Sequence, residues 1–117
     1  MAPISRILVS AGELSGDEHA AEVVKALRAQ NPALTFRGMG GENLENAGME
    51  IVVDSRKSAS VMGFGPVVRS INKIFRSLNT MKELVRNWKP DVLILVDYPD
   101  FNLRLAKFAK SQGVKVF

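Results

Sequence analysis

The stretch ISRILVSAGELSGDEH, residues 4 to 19, decides how the rest of the chain is read. A short aliphatic run, Ile4 to Ser10, is bounded by glycine and reads as a buried strand. A plain turn needs two or three small polar residues, but this one runs on through Gly12, Glu13, Ser15, Gly16 and Asp17. A helix follows, carrying Ala20, Ala21, Val23, Val24, Ala26 and Leu27 and ending near Asn31-Pro32, with Ser15 or Asp17 as its cap. A strand, a glycine-bearing turn and a helix open a β-α unit, and the turn carries enough chemistry to be a site.

The same alternation continues. Leu34 to Met39 reads as a second strand, and Gly38-Met39-Gly40-Gly41 breaks it and opens a short helix from Glu42 to Ala47, stopped by Gly48. Met49 to Val53 is a third strand and Asp54 to Ser60 a polar loop. Val61 to Pro66 is an apolar, glycine-rich turn, with Pro66 suited to a helix start. From there to Trp88, Val67, Ile71, Ile74, Leu78, Met81, Val85 and Trp88 recur at steps of three or four, which predicts a long amphipathic helix. Pro90 ends it by pushing its predecessor out of helical space. Val92 to Val96 is apolar on both faces, as a central parallel strand must be. Tyr98-Pro99 turns into a helix through Lys110, capped by Asp100 or Asn102, and Val114 to Phe117 begins a fifth strand. Strands alternating with helices predict an α/β fold: a parallel, Rossmann-like sheet with flanking helices and right-handed crossovers. The last strand has no closing helix, so the chain reads as a truncated part of a longer protein.

Composition narrows the classes. The 117 residues suit one compact domain, and a hydrophobic share of 46% can fill a core. A net charge of +4 leans toward anionic partners without indicating nucleic acid. With no cysteine and a single histidine, His19, disulfides and thiolate or histidine metal clusters are excluded. His19 reads as a surface helix residue. No apolar run is long enough for a membrane span or a secretory signal, so a cytoplasmic protein is expected.

In an open parallel sheet, ligands bind outside the carboxyl ends of the strands. That rule gathers the four most unusual stretches, 12–17, 38–41, 61–65 and 97–102, along one edge. A glycine-rich turn before a helix presents free N–H groups and a positive dipole end. Glu13 and Asp17 would repel a phosphate there, so sugar hydroxyls fit better. Neither GxxxxGK[ST] nor GxGxxG is present, which argues against nucleoside triphosphates and dinucleotides.

AGELSGD at 11–17, VMGF at 61–64 and KPDVLILVDYPDFN at 89–102, in that order, resemble the lipid-A-disaccharide synthase family over almost the whole chain. The resemblance implies the N-terminal, acceptor-side half of a GT-B glycosyltransferase fold over residues 1–117, with a C-terminal UDP-sugar-binding domain absent and the chain alone inactive. It implies an inverting transfer from UDP-2,3-diacylglucosamine to 2,3-diacylglucosamine 1-phosphate, giving a β-1,6-linked disaccharide 1-phosphate and UDP, at the cytoplasmic face of the bacterial inner membrane. The family often carries an acid shortly after VMG, where this chain has Pro66. A binding module of the flavodoxin or response-regulator kind, or a GT-B enzyme with another sugar substrate such as an epimerase, are the alternatives.

On this reading Asp97, at the carboxyl end of the fourth strand, is the catalytic base; the plain alternative is a turn cap or a structural ion pair. Gly12, Glu13, Ser15, Gly16 and Asp17 line the acceptor pocket, or form an ordinary turn with a capping acid. Met62, Gly63 and Phe64 form an apolar mouth for acyl chains, or plug the core. Of Asp100 and Asn102, one caps and the other orients Asp97 or binds hydroxyls. Asp91, at the opposite strand end, is structural. The long helix carries Arg69, Lys73, Arg76, Lys82, Arg86 and Lys89 against Glu83, a basic face that could rest on anionic lipid or simply be solvated. Asp97-Tyr98-Pro99-Asp100 has one residue too many for the D-x-D of metal-using transferases, and neither a metal nor a cofactor is expected.

Overall fold

The computed structural model describes residues 3–56 and 67–117. Met62, Gly63, Phe64 and the rest of the expected turn at 61–66 lie outside the described residues. Five parallel strands, β1 (Arg6–Ala11), β2 (Thr35–Gly40), β3 (Glu50–Asp54), β4 (Val92–Val96) and β5 (Lys115–Val116), form one sheet in the order β3-β2-β1-β4-β5. Helices α1 (Leu14–Gln30), α2 (Glu42–Asn46), α3 (Val67–Trp88) and α4 (Pro99–Ser111) connect them.

Alternation along the strands assigns the two faces. Ile7, Val9 and Ala11 of β1 pack with Phe36 under α1 and α2, whereas Leu8 packs with Met39, Leu93 and the apolar sides of α3 and α4. From β1 the chain steps outward to β2 and β3, and α3 then carries it back to β4 on the other side of β1. The strand order therefore reverses between β1 and β4. In an open α/β sheet that reversal opens a crevice at the carboxyl ends of the two strands. The register places Ser10 beside Leu95 and Ala11 beside Val96, so the segments that follow, Gly12 onward and Asp97 onward, emerge side by side.

Two local expectations change. Among the described side chains of α3, Leu78, Met81, Leu84 and Val85 are buried, while Ile74 is 37% and Phe75 51% exposed. The central strands are five or six residues long, about 17–20 Å, and a helix of 22 residues, about 33 Å, runs past them. Lys89 leaves helical space before Pro90, but into the left-handed region at φ +55° rather than an extended one. At the amino end of the sheet, Asp91 accepts hydrogen bonds from the backbone N–H groups of Ser5 (2.8 Å) and Arg6 (2.9 Å), and these hold its carboxyl below the usual range. It joins β4 to the start of β1, the structural role the sequence suggested.

Candidate functional site at the strand-order reversal

The crevice is built by two segments that leave the sheet together. Residues 12–17 follow β1 and lead into α1. Gly12 is buried, and a Cβ there would overlap the ring of Tyr98. Gly16 is buried at the other side of the turn, where a Cβ would stand 3.2 Å from the Val96 carbonyl oxygen and 3.5 Å from Asp97 Oδ2. The two glycines thus let the first loop close onto the end of β4. Glu13 occupies the N-cap position of α1 without a side-chain capping bond, and the expected cap from Ser15 or Asp17 does not form. The amide groups of the first helical turn therefore lack a side-chain acceptor. Glu13, Leu14 and Ser15 are all exposed around them.

Asp17 turns the opposite way. Its carboxylate is 1% exposed and accepts from the backbone N–H groups of Gly41 (2.7 Å), Asn43 (3.0 Å) and Leu44 (3.1 Å), and from Asn43 Nδ2 (3.0 Å). It caps α2, not its own helix. Gly41 lets the β2–α2 turn come close enough for this, since a Cβ there would stand 3.1 Å from Asp17 Oδ2. The Asp17 charge is held by α2's N–H groups, so the residue serves as the capping acid that is the plain alternative for this turn, but for α2 rather than α1.

The second segment is Asp97-Tyr98-Pro99. Asp97 and Tyr98 both have left-handed backbone, each at φ +54°. Tyr98 takes the N-cap position of α4 and Pro99 its first turn, so neither Asp100 nor Asn102 caps this helix. Asp97 is exposed at the crevice mouth with Oδ2 against Gly16. Among the described residues its carboxylate has no hydrogen-bond or ion-pair partner. Tyr98 stacks on Phe101 at a centroid distance of 5.1 Å. Burial, and then the nearby negative charge of Glu13, push its hydroxyl above the usual tyrosine range. Tyr98 was read only as a turn residue; no local pattern signals a ring laid over a glycine 86 positions away.

Asn102 is inside the protein, 3% exposed. Its Oδ1 accepts from Ser10 Oγ at 2.6 Å, and its Nδ2 donates to the Asp97 carbonyl, with the Ser10 and Val96 carbonyl oxygens at 3.3 and 3.4 Å. A side chain so buried and engaged fits the expectation that it orients Asp97 better than the one that it binds substrate hydroxyls. Asp100 is exposed and lines a groove of roughly 520 Å³ between α3 and α4, with Phe75, Lys82, Leu103 and Arg104. His19 is exposed on α1. No group of three or more metal-ligating side chains occurs among the described residues.

The fold and the crevice define a Rossmann-like α/β domain whose ligand edge offers the exposed carboxylates of Asp97 and Glu13 at a helix start with open amide groups. Residues 7–117 match the family described as Lipid-A-disaccharide synthetase, and the chain belongs to that family. It is 56% identical over 111 residues to a lipid-A-disaccharide synthase of Myxococcus xanthus, covering 95% of this chain and 29% of that protein. The chain spans under a third of the length of the curated relatives it matches. Among solved structures, the C-terminal domain of the PF1911 hydrogenase of Pyrococcus furiosus superposes with a TM-score of 0.71 at 17% identity, covering 100% of this chain and 95% of that one. A Listeria monocytogenes structure described as a UDP-N-acetylglucosamine 2-epimerase does so with a TM-score of 0.61 at 12% identity, over 99% of this chain and 30% of that one. At such identities these two likenesses bear on the fold alone, and the sheet they share serves unrelated chemistries.

Proposed function

We propose that this chain is the acceptor-side half of an inverting glycosyltransferase of lipid A synthesis, with Asp97 as its general base. The donor is UDP-2,3-diacylglucosamine and the acceptor 2,3-diacylglucosamine 1-phosphate. The acceptor 6-hydroxyl attacks the anomeric carbon, the bond to UDP breaks on the opposite face, and the hydroxyl proton passes to Asp97. The products are the β-1,6-linked disaccharide 1-phosphate and UDP. The observation that carries this reading is the position of Asp97: an exposed carboxylate, without a partner among the described residues, at the strand-order reversal, against Gly16 and beside the exposed Glu13 and Ser15. Family membership supplies the reaction class.

A second domain contributes the contacts to the UDP-sugar on this reading, so residues 1–117 alone are inactive. The protein works in the cytoplasm, peripheral to the inner membrane. No described helix is long and apolar enough to cross a membrane. Contact with an anionic bilayer runs through α3, where the exposed Ile74 and Phe75 sit beside the exposed Lys73 and Arg76, near Leu103 of α4, itself 62% exposed. Lys82 and Arg86 contribute less, because each lies over the Phe108 ring, at 5.5 and 5.2 Å from its centroid. The test is turnover of both acylated substrates by the complete gene product carrying Asp97→Asn. A loss of about 100-fold or more is expected from removal of a general base; undiminished turnover would overturn the assignment.

A further inference from the structure

Three features converge on the turn that carries Asp97. First, Asp97 and Tyr98 are consecutive non-glycine residues in the left-handed region, φ +54° at both. L-residues adopt that conformation singly and at a cost, so a pair of them must be held by its surroundings. Second, one residue takes both carbonyl groups of the pair. Asn102 Nδ2 donates to the Asp97 carbonyl oxygen, and the Asn102 backbone N–H donates to the Tyr98 carbonyl oxygen at 3.0 Å. Third, the carboxamide is itself anchored across the sheet. Its Oδ1 accepts from Ser10 Oγ at 2.6 Å, and Ser10 is fully buried in β1. The clamp thus ties β1, β4 and α4 together at the point where the strand order reverses.

We propose that Asn102, braced by Ser10, is the positioning residue for Asp97: it holds the left-handed Asp97–Tyr98 turn that presents the carboxylate to the crevice. The inference rests on the reading of Asp97 as the base and deepens it. With no partner among the described residues for the Asp97 carboxylate, its direction is set by its backbone. Loss of the side-chain bond to the Asp97 carbonyl, with the backbone bond to Tyr98 kept, lets Asp97 relax toward right-handed or extended backbone, which swings the carboxylate away from Gly16. Displacement of a reacting group by about an ångström is enough to cost on the order of 100-fold in rate. Asn102 touches no substrate in this account and acts only through Asp97.

The test is a double-substitution cycle in the complete gene product, with each acylated substrate varied at a saturating level of the other. Asn102→Ala is expected to lower kcat about 10- to 100-fold with KM for each substrate changed less than about threefold. Added to Asp97→Asn, it is expected to lower the residual rate by less than about twofold, because a group that acts through Asp97 has nothing further to lose. A purely structural lesion would instead multiply the two losses, and that result, or an unchanged kcat in Asn102→Ala, would overturn the clamp. Should Asn102→Ala not fold, Ser10→Ala is read in the same cycle. It removes one hydroxyl and leaves the bonds to the turn carbonyls, and a loss of about fivefold that vanishes beside Asp97→Asn is expected; a loss that persists beside Asp97→Asn, or no loss at all, counts against the clamp. The two readings fail differently. A fully active Asp97→Asn protein sinks the base and the clamp together, whereas an inactive Asp97→Asn protein with a normal Asn102→Ala protein sinks the clamp alone.

Discussion

Replacement of Asp17 by alanine should weaken the fold far more than any other exchange in the first loop. The carboxylate is 1% exposed and accepts four hydrogen bonds, three of them from the backbone N–H groups at the start of α2. Hydrogen bonds to a buried charged group contribute about 1.5–3 kcal/mol each, and a lost helix cap alone costs about 1–2 kcal/mol. Neighbouring bonds are not additive, and water can reach part of the opened turn, so a net loss of about 3–4 kcal/mol is the working figure. An unfolding entropy of about 2.1 cal/mol/K per residue gives about 250 cal/mol/K for a chain of this size, and hence a fall in Tm of about 12–16 °C. Asp17→Asn keeps an acceptor for Gly41 and Leu44, which share Oδ1, but turns an NH2 group toward Asn43; about half that fall is expected. Circular dichroism melts of the two variants and the parent at pH 7 give the comparison. An Asp17→Ala melt within about 3 °C of the parent would show that the α2 cap is not what the carboxylate is for.

Gly12→Ala should displace Tyr98, since the new Cβ would overlap its ring; a loss of about 1–3 kcal/mol in urea denaturation is expected, and a neutral result would contradict the close approach. The backbone N–H groups of Arg6 and Ser5 hold the Asp91 carboxyl below the ordinary aspartate range, so its contribution to stability is present above about pH 4 and disappears as pH falls through the depressed value. Asp91→Asn should therefore melt below the parent at about pH 6, with the gap closing as pH falls through the depressed value, as Tm against pH will show. Tyr98 is the single tyrosine, and burial with Glu13 raises its hydroxyl above 10.0, so ultraviolet titration should find a midpoint above that value, lowered in Glu13→Gln. Ionisation there opposes folding, so stability falls as pH rises past about 10.

Much of the architecture was legible because each element is locally consistent. Val92 to Val96 could only be a central strand, and Pro90, Gly48 and Gly113 mark where helices must stop. The strand-end rule then put Gly12 to Asp17 and Asp97 on one edge without knowledge of strand order. Side-chain direction was not legible. An acid in the first turn of a helix looks like its own cap, and nothing nearby in sequence says that Asp17 serves a helix 24 or more positions on. Whether Asn102 caps a helix, orients Asp97 or binds hydroxyls could not be chosen locally, because its partner Ser10 is 92 residues away. Apolar spacing predicted the stripe of α3, but spacing says nothing of how far the sheet extends beneath it, and Ile74 and Phe75 emerge uncovered. Local pattern reports period and punctuation; the long-range hydrogen bonds that choose a rotamer appear only once the strands are in register.

The central claim is that the Asp97 carboxylate takes the proton from the acceptor hydroxyl. The pH dependence of kcat/KM for the complete gene product, compared with Asp97→Asn over the acidic range, tests it most directly. The parent should lose rate tenfold per pH unit below a single ionisation, and the variant should be slower throughout with that acidic limb gone. The same limb in both proteins would mean that another group accepts the proton.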